Sequence, residues 1–383
     1  MVPMPPESMP PEPKAIPAYM QAVVLTGHGG PDRLEFHRDW PVPVAGPGEV
    51  LIEVAACGLN NTDVNTRTAW YSKAVRGATD GKGSKDSDAA DSSWGGSCIR
   101  FPRIQGADVC GRVVALGQGA DAALLGKRVL VDTWLRDWSD PMNRDRCGYY
   151  GSECDGGFAQ YATAPVTNVR AIHSELSDTQ LATFATACIT AENMLTRARV
   201  ESGDVVLIPG ASGGVGSALV QLCRRRGAQA IGLCGNSKME QVRALGAAAV
   251  LPRAPDDLRA ALLEVHAEDQ VDVVADVVGG AMFGSLIGAL KRGGRYTCAG
   301  AIAGAVVEFD LRTFYLNDLT FTGATIPAPE IFPALVGYIE RGEIQPQLAS
   351  VYALEDFHAA QQAFLDKRHV GNIVVSTASL HSP

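Results

Sequence analysis

The sequence predicts an α/β protein of two domains. One is a dinucleotide-binding domain with a doubly wound parallel sheet, the other a small β-barrel. Three observations predict it. The apolar run Val205-Val206-Leu207-Ile208 passes into Pro209-Gly210-Ala211-Ser212-Gly213-Gly214-Val215-Gly216 and then into a helical stretch at 217–223. From 205 to 298 short apolar runs alternate with helical stretches, the pattern of a parallel sheet covered on both faces. Between 20 and 131 the apolar runs are short and punctuated by Gly and Pro, the pattern of a small barrel.

Residues 1–18, dominated by Pro, Glu and Met, read as a disordered arm. Strands are expected at 20–25, 49–55, 109–116 and 127–131. Two stretches interrupt them. Residues 72–97 are rich in Gly, Ser, Asp and Lys and read as a long exposed loop; residues 134–155 carry aromatics, charges, Cys147 and Cys154. A helix is expected over 177–198, with Ser177 as its N-cap. Strands at 205–208, 230–233, 250–251, 271–276 and 294–298 then alternate with helices at 215–226, 238–245, 255–266 and 283–290. Helices at 331–340 and 357–365 follow, and a last strand at 372–376 is placed to return to the first domain.

The totals are those of a globular chain. Its 383 residues, 46% hydrophobic and 20% charged, suffice for two cores. A net charge of -9 argues against a nucleic-acid partner, which needs basic patches. The nine cysteines are scattered, several inside apolar runs, as in a cytoplasmic protein with reduced thiols. No apolar run reaches the length of a membrane span, and no basic-then-apolar leader opens the chain, so no membrane partner is expected.

The glycine cluster has the chemistry of a phosphate cradle. The first N–H groups of a helix have no internal partner, and glycines let a pyrophosphate approach them. The spacing Gly210-x-x-Gly213-x-x-Gly216 is one residue longer than the common dinucleotide fingerprint. Gly210, Ala211, Ser212, Gly213, Gly214, Val215 and Gly216 are therefore the expected cofactor-binding loop. The next strand runs into Cys234-Gly235-Asn236-Ser237-Lys238, with no acid to take the ribose hydroxyls of NADH. Asn236, Ser237 and Lys238 suit the 2′-phosphate of NADPH instead; the alternative for Lys238 is a solvated first-turn residue. Val277, Gly300 and Ala301 stand at two further strand ends, where ligands of parallel sheets sit, while Asp276 reads as a structural cap.

Several motifs add up to a resemblance. They are Pro47-Gly48-Glu49-Val50-Leu51-Ile52, Gly58-Leu59-Asn60-Asn61-Thr62-Asp63 with Arg67, and Phe101-Pro102-Arg103-Ile104-Gln105-Gly106-Ala107-Asp108-Val109-Cys110-Gly111. Gly156-Gly157-Phe158-Ala159-Gln160-Tyr161, the glycine loop and His369-Val370-Gly371-Asn372-Ile373-Val374-Val375 complete them. Over about 20–376 the chain resembles the medium-chain dehydrogenase/reductase superfamily, in its zinc-free branch of quinone oxidoreductase-like and enoyl reductase-like proteins. The resemblance implies a GroES-like β-barrel catalytic domain, 19–165 and 327–383, with a Rossmann domain, 166–326, inserted into it. It implies an active site in the cleft between them and a homodimer formed through 295–301 and 319–325. It also places Asn60, Thr62 and Thr190 near the nicotinamide, and Asn372 where a lysine is common.

The zinc-dependent branch has a Cys at the position of Asn60, His-Glu at Ala107-Asp108 and a third ligand near Thr186. None of these residues is a zinc ligand of that set, so no metal is expected. Cys147 and Cys154 fall short of the four cysteines of a structural zinc lobe. Without a metal, the accessible chemistry is hydride transfer from NADPH to a small electrophile, a quinone or an α,β-unsaturated carbonyl compound. Donors aimed at its carbonyl oxygen would lower the barrier.

Asn60, Thr62, Asp63 and Tyr71 are the candidates. Asn60 reads either as such a donor or as a loop residue bonding the backbone. Tyr71 reads as an acid, a donor or a stacking surface. Asp63 and Arg67, four apart, are placed to pair on a helical turn. Two rival functions stand beside this one: an alcohol dehydrogenase with displaced zinc ligands, and a non-enzymatic NADPH-binding protein.

Overall fold

The computed structural model describes residues 15–81, 91–93, 95 and 98–378. Most of the expected N-terminal arm and the middle of the 72–97 loop, with Trp94, lie outside the described residues.

The chain first builds β1 (Tyr19–Leu25), β2 (Leu34–Pro41), β3 (Glu49–Gly58) and α1 (Asn61–Arg67). β4 (Arg103–Ile104), β5 (Asp108–Leu116), β6 (Arg128–Val131), β7 (Trp134–Leu135), β8 (Gly148–Tyr149), β9 (Tyr161–Pro165) and β10 (Val169–Ala171) follow. β3 is the hub. It pairs antiparallel with β5 over its whole length and with β9 over its first half. Its apolar residues are buried on both faces, which accounts for its near-continuous hydrophobic run rather than a strict alternation. β10, past the expected boundary at 165/166, still pairs with β6.

The helix expected over 177–198 is two helices, α2 (Asp178–Leu181) and α3 (Ala185–Arg197). Ser177 caps the first, accepting from the Gln180 N–H at 3.2 Å. The break at 182–184 has a local cause. The Thr183 hydroxyl donates to the Gln180 carbonyl at 2.7 Å, and the Thr183 carbonyl accepts from the distant Asn372 amide at 3.2 Å.

The parallel domain comprises β11 (Val205–Pro209), α4 (Gly214–Arg226), β12 (Gln229–Cys234), α5 (Met239–Ala244), β13 (Ala249–Pro252) and α6 (Leu258–Val265). It continues with β14 (Val271–Asp276), α7 (Phe283–Gly288), β15 (Leu290–Cys298), α8 (Leu311–Leu316) and β16 (Thr320–Gly323). The strand order is β13-β12-β11-β14-β15-β16, every pair parallel. The order reverses between β11 and β14, and the crevice beyond the strand ends at that reversal is where such sheets take their ligands.

The last segment runs through α9 (Ile331–Glu340), β17 (Leu348–Ala353), α10 (Phe357–Asp366) and β18 (Asn372–Ser376). α9 packs in the same core cluster as α3 and α4. β18 lies between β17 and β3, so the tail returns to the first domain and the parallel domain is an insertion within it.

Candidate active site

The glycine loop closes β11 at the sheet reversal. Gly210 has a φ of +71°, which favours glycine, and a β-carbon on Gly216 would lie 2.2 Å from the Gly210 carbonyl oxygen. Helix α4 therefore starts closer to the turn than any side chain permits. Gly213 differs. Its φ is −79° and a β-carbon there would come no nearer than 3.5 Å to the protein, so the space above it is open. The first-turn N–H groups of Gly214, Val215 and Gly216 face that end of the helix. An open glycine-walled hollow at a helix N-terminus fits the pyrophosphate of a dinucleotide. The C-terminal tail meets the same loop: the Gly371 N–H donates to the Ser212 carbonyl at 3.0 Å, and Asn372 stands against Gly214. Asn372 thus ties the cradle to the α2–α3 break.

The other strand ends converge as expected. Gly300 packs on Val277, and beside Ala301 the Ile302 carbonyl accepts from the Thr79 N–H at 3.0 Å, a link to the catalytic half. Asp276 caps its loop, accepting from Val278 N–H at 2.7 Å and from the Tyr296 hydroxyl at 2.8 Å.

Around the expected ribose site Lys238, Arg253, Lys367 and His369 come near enough to influence one another. Asn236 and Ser237 are exposed, but Lys238 is only 8% exposed, and its Nζ donates to the Lys367 carbonyl at 2.5 Å. The solvated alternative for Lys238 is thereby excluded. Burial and then the neighbouring Arg253 lower its pKa. Lys367, at the C-terminus of α10, sits over the Phe364 ring and donates to Asn61 at 2.9 Å. Burial first, and Lys238 second, bring Lys367 down to about 7, and burial with both lysines brings His369 down to about 4. Cations held together without a carboxylate are stable only while partly neutral, or when an anion joins them. Lys367 and Arg253 escaped the sequence reading because they join Lys238 only through the fold.

The positions corresponding to zinc ligands form a hydrogen-bonded cluster instead. Asp108, 1% exposed at the start of β5, accepts at one oxygen from the Asn60 amide at 3.0 Å. Its other oxygen accepts from the Thr186 N–H at 2.7 Å and from the Thr186 hydroxyl. The Tyr149 hydroxyl lies 2.8 Å from Thr186 Oγ1. Asp63 closes the first turn of α1, accepting from the Asn60 N–H at 2.7 Å. Asn60 thus holds two buried carboxyls, and burial raises Asp63 to about 8 and Asp108 to about 6. Among the described residues no three His, Cys, Asp or Glu side chains converge to hold a metal. An amide, a methyl group and a hydroxyl at these positions do not fit a catalytic zinc.

Both readings of Asn60 survive in part: it is a donor, and its donors are already engaged by Asp108 and Asp63. The expected Asp63–Arg67 pair is corrected. Asp63 turns back to the helix N-terminus, while Arg67 donates to the Gly29 and Gly81 carbonyls at 2.7 and 3.2 Å. Unpaired backbone acceptors across the fold outcompete a same-helix carboxylate that already has a cap to make. Tyr71 donates to Thr62 Oγ1 at 3.2 Å, so these two candidates come together. Thr190 lies one turn beyond Thr186 on α3. Tyr149 and the Asp108–Thr186 contact were missed; Asp108 and Thr186 had drawn attention only as failed zinc ligands.

Comparison with known proteins extends these observations. The alcohol dehydrogenase GroES-like domain model matches residues 46–174, and the zinc-binding dehydrogenase model matches 214–341. A solved structure from Sinorhizobium meliloti 1021, provisionally described as an alcohol dehydrogenase, superposes with a TM-score of 0.86. It is 43% identical, over 94% of this chain and 97% of that one. Human quinone oxidoreductase is 26% identical over 351 residues, 90% of this chain and 93% of its own length. Acryloyl-coenzyme A reductase of Metallosphaera sedula is 24% identical over 370 residues, 94% of this chain and all of its own.

Proposed function

The chain belongs to the medium-chain dehydrogenase/reductase superfamily and is an oxidoreductase with a Rossmann domain inserted in a GroES-like domain, and from that premise we propose that it is an NADPH-dependent reductase of quinones or α,β-unsaturated carbonyl compounds that works without a catalytic metal. The Asp108 cluster carries the reading. Asn60, Ala107 and Thr186 stand where a zinc enzyme needs ligands; Ala107 offers only a methyl group, and Asn60 and Thr186 both spend their donors on Asp108. A substrate that is already electrophilic needs no Lewis acid, and the quinone and acryloyl-thioester reductases among the relatives act on such compounds.

Bound in the cradle, NADPH would supply a hydride. The residues of this chain do the rest. Gly213 and the first turn of α4 receive the pyrophosphate, and Thr190 flanks the nicotinamide. Lys238, Lys367 and Arg253 take the 2′-phosphate, whose charge offsets the repulsion among them. Asn60, Thr62 and Tyr71 wall the substrate side.

Two further points belong to this proposal. The protein acts as a dimer: Val306, Leu311, Tyr315 and Leu316 are 56–66% exposed beside the edge strand β16. It works in the reducing cytoplasm, where the absence of disulfides among the described residues costs it nothing. The test is NADPH and NADH consumption across quinones, enones and enoyl thioesters, with metal content measured on the same sample. Tighter binding of NADH, or one zinc per chain required for turnover, would return the alcohol dehydrogenase reading. Tight NADPH binding with no turnover on any of these substrates would support a non-enzymatic role.

A further inference from the structure

Helix α3 and its approach are buried from 181 to 195 at every residue but two, Thr186 and Thr190. They are four apart, so they share one face of the helix, and that face is the one open to solvent. The fold has therefore left two threonines partly exposed on a helix whose other residues from 185 to 195, Glu192 and Asn193 among them, are buried. Thr190 lies beside the expected nicotinamide. Thr186 is wired into the interior: its hydroxyl donates to Asp108 Oδ1 and meets the Tyr149 hydroxyl at 2.8 Å. Asp108 has no route to solvent of its own, being 1% exposed. Thr186 is thus a hydroxyl that touches both the buried carboxyl and the partly open face.

We propose that Thr186 gives the proton to the reduced substrate and that Asp108 restores it, with Tyr149 as a positioning residue that holds the Thr186 hydroxyl. The assignment rests on the reductase reading above. Once the substrate has accepted a hydride at carbon, its carbonyl oxygen holds the electron pair as an enolate, or as a phenolate for a quinone. The Thr186 Oγ1–H bond breaks and that proton forms the new O–H bond. With Asp108 protonated the contact between its Oδ1 and Thr186 Oγ1 is reversed, the carboxyl donating, and its proton moves to Thr186 Oγ1 as the Thr186 proton leaves. The carboxylate left behind is held by the Thr186 N–H and the Asn60 amide, at 2.7 and 3.0 Å, until a proton from water returns to it through the Thr186 hydroxyl. A hydroxyl suits the middle position because it donates and accepts at once.

The surroundings suit the carboxyl to this task. The titratable groups that face Asp108 are Asp63 on α1, Cys57 on β3, Tyr149 on β8 and Cys188 on α3. None is a cation, so nothing but hydrogen bonds favours the charged form. Burial outweighs those bonds and sets the carboxyl near 6, close to the working range of a general acid. A raised carboxyl is charged with its proton below that value and empty above it. Turnover should therefore fall as pH rises through about 6.

The experiment compares wild type with Thr186→Val, Thr186→Ser and Asp108→Asn, at saturating NADPH and a substrate the wild type reduces. Two readouts are taken. One is the pH profile of kcat. The other is the infrared carbonyl band of protonated carboxyls, titrated in the cofactor-free protein. The wild type is expected to show a limb falling about tenfold per pH unit above its midpoint. Thr186→Val should lose roughly 10²-fold or more in kcat together with the limb, while Thr186→Ser keeps both and NADPH affinity is unchanged in each. Asp132, also buried and raised to about 6, shares the band titrating near pH 6, so that band should be larger in wild type and lose the Asp108 share of its amplitude in Asp108→Asn. Wild-type kcat and an unchanged limb in Thr186→Val would overturn the relay and leave the reductase intact, as would a band near pH 6 of undiminished amplitude in Asp108→Asn. A wild type inert towards every quinone, enone and enoyl thioester would overturn the reductase reading and the relay with it.

Discussion

Asn60 shows how one residue type supports opposite functions. Where the zinc branch needs a thiolate, this chain has an amide that donates through its backbone to Asp63 and through its side chain to Asp108. Both acids are buried and raised, which has a consequence for stability. Their folded-state values exceed the unfolded ones, so no penalty exists below about pH 4; it builds from there and is complete above about 6 for Asp108 and above about 8 for Asp63. Asp63→Asn keeps an oxygen to cap the Asn60 N–H and removes the charge. Its Tm should exceed that of wild type at pH 9, and the gap should close at pH 4. An equal gap at both values would contradict the assignment.

The lysines give a second residue-scale prediction. Lys367 is lowered to about 7, so part of the cofactor-free population is neutral at pH 7.5. A phosphate beside it would restore the charge, so NADPH binding should take up protons there and NADH binding should not. Calorimetry in buffers of different ionisation enthalpy reads this directly. Lys367→Met should weaken NADPH by roughly 10- to 100-fold, the worth of a charged hydrogen bond of about 1.5–3 kcal/mol, and leave NADH alone.

At the scale of elements, the glycine loop separates fold from function. Gly216→Ala would force a β-carbon to 2.2 Å from a backbone oxygen, so it should lower Tm and NADPH affinity together. Gly213→Ala has room within the protein, and only the bound pyrophosphate would meet its methyl group. It should melt like wild type yet bind NADPH poorly; wild-type affinity would mean the cradle is not used.

The local elements were legible in the sequence because their signals are local. Helix 331–340, the strand at 372–376 and the alternation from 205 to 298 all follow from apolar periodicity and stand where expected. Two features were not legible. The break of 177–198 depends on Asn372, which reaches Thr183 across 189 residues of chain. The Asp108–Thr186 contact spans 78 residues, and the short β8 that positions Tyr149 exists only by pairing with β7. Spacing rules see partners three or four residues away, which is why Asp63–Arg67 looked like a pair and Lys238–Lys367 did not.

At the scale of the whole molecule, the tail is what makes one site from two domains. β18 completes the catalytic sheet beside β3, and the residues just before it touch the phosphate loop and the lysine cluster. Residues 367–372 therefore link the glycine loop to the barrel sheet that β18 joins. The exposed apolar residues near β16 predict a dimer, so Leu311→Asp with Tyr315→Asp should halve the mass seen by light scattering and leave NADPH binding intact. A monomeric wild type would contradict that.

Metal-free reduction with NADPH is checked by steady-state turnover of protein dialysed against a chelator, with zinc measured on the same sample. Full NADPH-dependent reduction of a quinone or enone is expected at far below one zinc per chain, and little with NADH. Turnover lost with the metal and regained in proportion to added zinc would contradict it.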